Sequence, residues 1–112
     1  MEVEDATDRF ACLSHETRLR LFKELVKAER PDDTGGLAAG ELAARMSIAP
    51  PTLSFHLKEM SRAGLVTSRK AGRSVIYRAD LGAMTGLVNY LLEDCCGGAC
   101  GIPLEPEQGA TR

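Results

Sequence analysis

The chain has 112 residues, 44% hydrophobic and 27% charged, the composition of one soluble globular domain with no room for a second core. The longest uncharged stretch in its second half, Leu81 to Leu92, is too short to span a membrane and contains Asn89. The first ten residues carry Glu2, Glu4, Asp5 and Asp8 and no basic-then-apolar run, so no signal peptide and a cytoplasmic location are expected. In that reducing compartment four cysteines are not a stapling framework. Three of them, Cys95, Cys96 and Cys100, fall within six residues, which points to metal or redox chemistry.

Asp5 to Cys12 reads as a short first helix. Ser14 has the type and place of an N-cap for a second helix over Ser14 to Ala28, in which Leu19, Phe22, Leu25 and Val26 recur at helical spacing. Pro31, Asp32, Asp33, Gly35 and Gly36 are turn chemistry. An alanine-rich helix over Ala38 to Met46 then buries Leu42 and Met46. After a turn of about four residues, Pro50 or Pro51 starts another helix, because proline suits a first turn whose N–H is unpaired anyway. Leu53, Leu57 and Met60 form its apolar stripe, and Gly64 suits the left-handed position that ends it. Two helices in tandem across a short turn are helix-turn-helix geometry. Leu65 to Arg69 and Ser74 to Arg78, around Ala71-Gly72-Arg73, read as a hairpin, hence a wing. A last helix carries the broad apolar face Leu81, Met84, Leu87, Val88, Leu91 and Leu92. The expected fold is mainly α (α+β), a winged helix-turn-helix of about five helices plus a two-stranded β-wing. A folded domain over residues 1–96 is followed by a flexible tail over 97–112 rich in glycine and proline.

Net charge is −2, but its distribution is uneven. Thr52 to Arg78 holds Lys58, Arg62, Arg69, Lys70, Arg73 and Arg78 against the single acid Glu59, a local +5; the remainder of the chain carries −7. A basic block in an acidic protein is the footprint of a nucleic-acid surface. In a winged helix-turn-helix the second tandem helix enters the major groove, where base edges carry a distinguishable code. With Leu53, Leu57 and Met60 inward, the residues expected outward are Thr52, Ser54, Phe55, His56, Lys58 and Glu59. Thr52, Ser54 and His56 are candidates for base or phosphate contacts, Phe55 for thymine methyls, Lys58 and Arg62 for phosphates, and Arg69, Lys70 and Arg73 for the backbone or minor groove near the wing. One module this small buries little surface, so a homodimer on double-stranded operator DNA is expected. Phe10, Leu81, Met84, Leu87, Val88 and Leu91 are its candidate interface.

The stretches Leu13-Ser14-His15-Glu16-Thr17-Arg18-Leu19-Arg20-Leu21-Phe22, Gly40-Glu41-Leu42-Ala43, Thr52-Leu53-Ser54-Phe55-His56-Leu57-Lys58-Glu59-Met60, Ala63-Gly64-Leu65-Val66 and Gly72-Arg73-Ser74-Val75-Ile76-Tyr77 resemble the ArsR/SmtB family of dimeric winged-helix repressors. The resemblance covers roughly Phe10 to Leu92 and implies a homodimer that represses its own operon and leaves the operator when an inducer binds. Two inducer sites of the family are missing. Glu41 to Met46, where some members carry a Cys-x-Cys box, has no thiol, and the last helix has no histidine, with Asp80 alone at its start. Cys95-Cys96-Gly97-Gly98-Ala99-Cys100 looks instead like the relocated arsenite site of some members.

Thiolate is a soft ligand and selects thiophilic centres over magnesium or calcium. As(III) and Sb(III) take three sulfurs in a pyramid, so Cys95, Cys96 and Cys100 satisfy either ion completely, and Gly97 and Gly98 let the chain fold back to close the set. Zinc wants four ligands, and Glu93, Asp94 or water would have to complete it. A redox switch among the three thiols and a methylated arsenical held by Cys95 and Cys96 are further alternatives. Cys12, beside Leu13, reads as a buried core residue. No anion loop, Cys-x-x-Cys pair or histidine near the triad suggests an enzyme, while an adaptor that uses the winged helix for protein contacts differs from a repressor in lacking salt-sensitive DNA binding.

Overall fold

A computed structural model describes residues 1–93, and the triad Cys95, Cys96 and Cys100 and the tail over 97–112 lie outside that range. The order is α1 (Val3–Leu13), α2 (Glu16–Lys27), β1 (Leu37–Ala38), α3 (Ala39–Met46), α4 (Pro50–Arg62), β2 (Val66–Ala71), β3 (Ser74–Ala79) and α5 (Leu81–Leu92). The five helices and the wing are those the periodicity predicts. Helix α1 is longer than expected at both ends. Ser14 does not cap α2: its N–H bonds back to the Ala11 carbonyl and closes α1, leaving His15 as the extended residue before α2 with no side-chain cap.

The buried face of α2 is Arg18, Leu21, Phe22 and Leu25, whereas Leu19 and Val26 are exposed. Both sets fit a 3.6-residue period, so spacing alone could not choose between them. An arginine on the inner face misleads any reading by hydrophobicity.

Three residues, Ser47 to Ala49, separate α3 from α4. Both helices end on the same device. In α3 the Ile48 N–H reaches the Ala43 carbonyl (3.2 Å) and the Ser47 N–H the Ala44 carbonyl (3.3 Å); in α4 Leu65 reaches Met60 (3.0 Å) and Gly64 reaches Ser61 (3.0 Å). This pattern needs a left-handed residue, supplied by Gly64 (φ 82°) after α4 and by Ser47 (φ 55°) after α3. Pro50 and Pro51 occupy the first turn of α4 as expected.

The expected hairpin is β2–β3, and β1 adds a third strand to it, giving an antiparallel sheet of order β1-β3-β2. Leu37 pairs with Tyr77 and Ala38 with Ile76, so β1 covers the edge of β3. A two-residue strand has no periodicity to read, which is why the turn-rich segment before α3 hides it. The core joins Leu21, Leu25, Leu42, Leu53, Leu57, Met60 and Leu65, all essentially inaccessible, with Cys12 and Phe22 at its margin. Asp80 caps α5, its carboxylate accepting from the Ala83 N–H at 2.9 Å.

Candidate nucleic-acid interface

Helix α4 follows α3 at the helix-turn-helix corner and turns Leu53, Leu57 and Met60 into the core. Its opposite face leaves Thr52, Ser54, Phe55 and Lys58 exposed, with Phe55 56% accessible. That face carries two hydroxyls, one cation and one aromatic ring, enough for phosphate anchoring, hydrogen bonds to base edges and contact with a methyl group.

His56 is not on this face. It is buried, and its Nδ1 accepts a hydrogen bond from Arg18 Nε of α2 at 3.1 Å. Residue 56 lies three positions after Leu53, and the slow drift of an α-helix carries it to the core boundary. An acceptor at Nδ1 places the imidazole proton on Nε2. Burial, then the charge of Arg18, then that of His15 hold the imidazole pKa below its ordinary 6.5, so the ring is neutral at pH 7.

The basic block divides in two. Lys58, Lys70 and Arg73 are exposed and have no acidic partner within salt-bridge distance among the described residues. Arg78, by contrast, is engaged: Nε and Nη2 donate to Glu29 Oε1 at 2.9 and 2.6 Å, and Nη2 also to the Arg30 carbonyl at 3.1 Å. This largely buried pair ties the segment after α2 to β3. Arg69 donates to the Gly35 carbonyl at 3.1 Å, which braces β2 against the segment before β1 and takes up part of its guanidinium. Arg62 pairs with Glu59 along the exposed edge of α4, where so accessible an ion pair holds its partner weakly. The local +5 of the sequence is therefore a smaller free charge at α4 and the wing tip.

Of the residues expected to join two copies, Leu87 is buried within the protomer and is not available. Leu81 and Met84 are partly buried against the core. Phe10 and Leu91 are exposed, 44% and 60% accessible, alongside Val3 at 56%, and Val88 is half-buried. Among the described residues no three of His, Cys, Asp and Glu come together as a metal cluster, and no helix is long and apolar enough to cross a membrane. The residue that sequence reasoning missed is Arg18. Its signal was an arginine spaced three, four and seven positions before Leu21, Phe22 and Leu25.

Residues 13–69 match a family profile described as a helix-turn-helix domain. The chain is 33% identical over 84 residues to the biofilm growth-associated repressor of Xylella fastidiosa, covering 75% of this chain and 68% of that protein. It is 30% identical over 69 residues to the arsenic resistance transcriptional regulator ArsR1 of Pseudomonas putida, covering 62% and 49% of the two chains. Its fold superposes on an ArsR-like transcriptional regulator from Rhodococcus sp. RHA1 with TM-score 0.70 and 30% identity, covering 80% of this chain and 77% of that one. These relatives are named as a repressor and as transcriptional regulators. With the tandem helices, the wing and the exposed face of α4 in place, this chain belongs to the ArsR/SmtB family of winged helix-turn-helix transcriptional repressors.

Proposed function

We propose that the chain is a homodimeric repressor that holds double-stranded operator DNA with α4 and the wing and releases it when As(III) or Sb(III) binds Cys95, Cys96 and Cys100. The observation that carries the inducer assignment is the presence of three thiols in six residues, beginning three residues after α5 ends at Leu92. Arsenite exchanges its three hydroxyls for three thiol sulfurs and releases three waters, so the set is complete without a fourth donor. Asp80 is committed to capping α5, which supports the cysteines over a carboxylate site at that helix start.

The apolar residues Val3, Phe10 and Leu91, contributed by α1 and α5, suit a second copy of the chain. The thiols then adjoin a helix of the dimer contact. Capturing the metalloid shifts the spacing of the two reading helices, and a coupling of about 1–3 kcal/mol changes operator affinity roughly 5–150-fold.

The test measures binding of the upstream DNA of the gene by gel shift, with arsenite, antimonite, zinc and cadmium, for the wild type and for C95S, C96S and C100S. Release by arsenite or antimonite that each substitution abolishes supports the proposal; release by zinc alone, or by peroxide without arsenite, overturns it. Retained sensing of a methylated arsenical in C100S assigns the inducer to Cys95 and Cys96. Sedimentation of the free chain as a monomer at micromolar concentration overturns the homodimer.

A further inference from the structure

We propose that Arg18 is a positioning residue for DNA recognition: its buried guanidinium sets the placement of α4 by donating to unprotonated His56, so that affinity for DNA follows the protonation of that imidazole. The proposal rests on α4 being the DNA-contacting helix. Among the described residues the buried polar or charged side chains are Arg18 and His56, each 8% accessible, and they bond to each other across two helices. A buried cation is costly unless every donor finds a partner, and such a group is retained where it fixes geometry.

Arg18, on α2, finds its partners from two other elements, α1 and α4. Nε donates to His56 Nδ1, and Nη1 points to the Cys12 carbonyl at 3.4 Å and to Cys12 Sγ at 3.9 Å. Its Cζ lies 5.8 Å from the centroid of the Phe55 ring. One planar group thus joins the end of α1, the inner face of α2 and two consecutive residues of α4. Phe55 is the large exposed residue on the reading face, so the same contact sets where that ring stands.

Among the described residues no carboxylate lies within ion-pair distance of Arg18. Its charge is balanced by a carbonyl, a sulfur, a π-face and the lone pair of a neutral imidazole. Protonating His56 removes that lone pair and sets a second cation 3.1 Å from the first. The other groups around the pair do not offset it. From the residue before α2, His15 stacks edge-on to His56 with ring centroids 5.8 Å apart. From α1, Asp8 and Cys12 line the cavity beside Arg18, and α4 contributes Glu59 and Arg62, already paired with each other. Burial and both neighbouring bases favour the neutral ring, consistent with the bond drawn in the structure. An imidazolium repelled by Arg18 turns away, and α4 loses its attachment to α1 and α2.

The experiment uses the full chain and a fluorescein-labelled duplex that the wild type selects from a random-sequence pool, read by anisotropy at constant ionic strength. As pH falls from about 7.5 through the ordinary imidazole value toward the depressed folded one, wild-type affinity is expected to fall about fivefold or more, and H15Q, which keeps His56, is expected to show a fall as well. Asparagine places an amide oxygen where Nδ1 stands and cannot be protonated. H56N therefore recovers the affinity lost in H56A and gives a flat profile, and R18K loses about fivefold or more at pH 7.5 with its helical circular dichroism retained. An H56N profile that falls like the wild type, or R18K binding like the wild type, overturns the proposal. Nitrogen-15 spectra of the intact wild type give a readout that needs no variant: an imidazole already protonated at pH 6.5 also overturns it. K58A and R73A serve as the separate check on α4 and the wing, since an unchanged salt dependence in both removes that assignment whatever His56 does.

Discussion

The division of the basic residues predicts which arginine the DNA does not feel. Each phosphate contact contributes about −0.9 to the slope of log affinity against log salt on duplex DNA. Lys58, Lys70 and Arg73 are exposed and unpaired among the described residues, so alanine at any of them is expected to make the slope shallower by about 0.9 per chain, twice that for a symmetric pair. Arg78 makes three donations within the protomer, and its pair with Glu29 is about four-fifths buried on both sides. Withdrawing it to reach a phosphate would strand Glu29, at a cost of about 1–3 kcal/mol that one screened phosphate does not offset. R78A should therefore leave the salt slope unchanged and lower unfolding stability by about 1–3 kcal/mol, whereas K58A and R73A do the reverse. Arg62, whose own side chain is exposed in its pair with Glu59, should behave like Lys58. The assay is anisotropy on a labelled duplex from about 50 to 200 mM potassium chloride, paired with urea unfolding of each variant. A slope in R78A that drops as far as in R73A would refute the reasoning, because it would mean that the Glu29 pair opens at no cost when DNA binds.

Gly36 has φ 106°, and a Cβ there would lie 2.6 Å from the Tyr77 carbonyl oxygen and 2.8 Å from Ile76 Cγ2. G36A should cost about 2–4 kcal/mol in urea unfolding by parting β1 from β3. G40A, inside α3 with open space around it, should instead stabilise by up to about 1 kcal/mol. Replacing the left-handed Ser47 by glycine relieves its φ of 55°, and S47G should raise stability by up to about 1 kcal/mol in the same assay. His56 binds its proton less readily folded than unfolded, so the unfolded chain takes up more protons below the ordinary 6.5. Stability should be level above that value and decline as pH falls through it toward the depressed folded pKa, and H56N should reduce the decline in pH-dependent melting.

The helices, the turn after α3 and the hairpin were legible because their signals are local: apolar spacing on α4, prolines in a first turn, and glycine where the chain must turn left-handed. The inner face of α2 was not, since Arg18 shares a helix with the decoys Leu19 and Val26, and only the position of α4 decides which stripe is covered. His56 was placed outward for the same reason; its partner stands 38 residues away, beyond any pattern of spacing. Charge counting located the basic block but could not discount Arg78, because Glu29 joins it only through the fold. Leu87 looked like part of a contact surface because a face broad enough to serve both core and partner carries no mark of where one gives way to the other.

The last residue of β1, Ala38, is followed immediately by the first residue of α3, Ala39, and the same Ala38 is registered against Ile76 of the wing. There is no slack at that joint. The tandem helices and the base of the wing are keyed together like the bit and shank of one tool, so a displacement of β3 at Ile76 is passed directly to the first residue of α3. Under the proposed dimeric assembly, the spacing between two such units, rather than the shape of either, is then the quantity to measure.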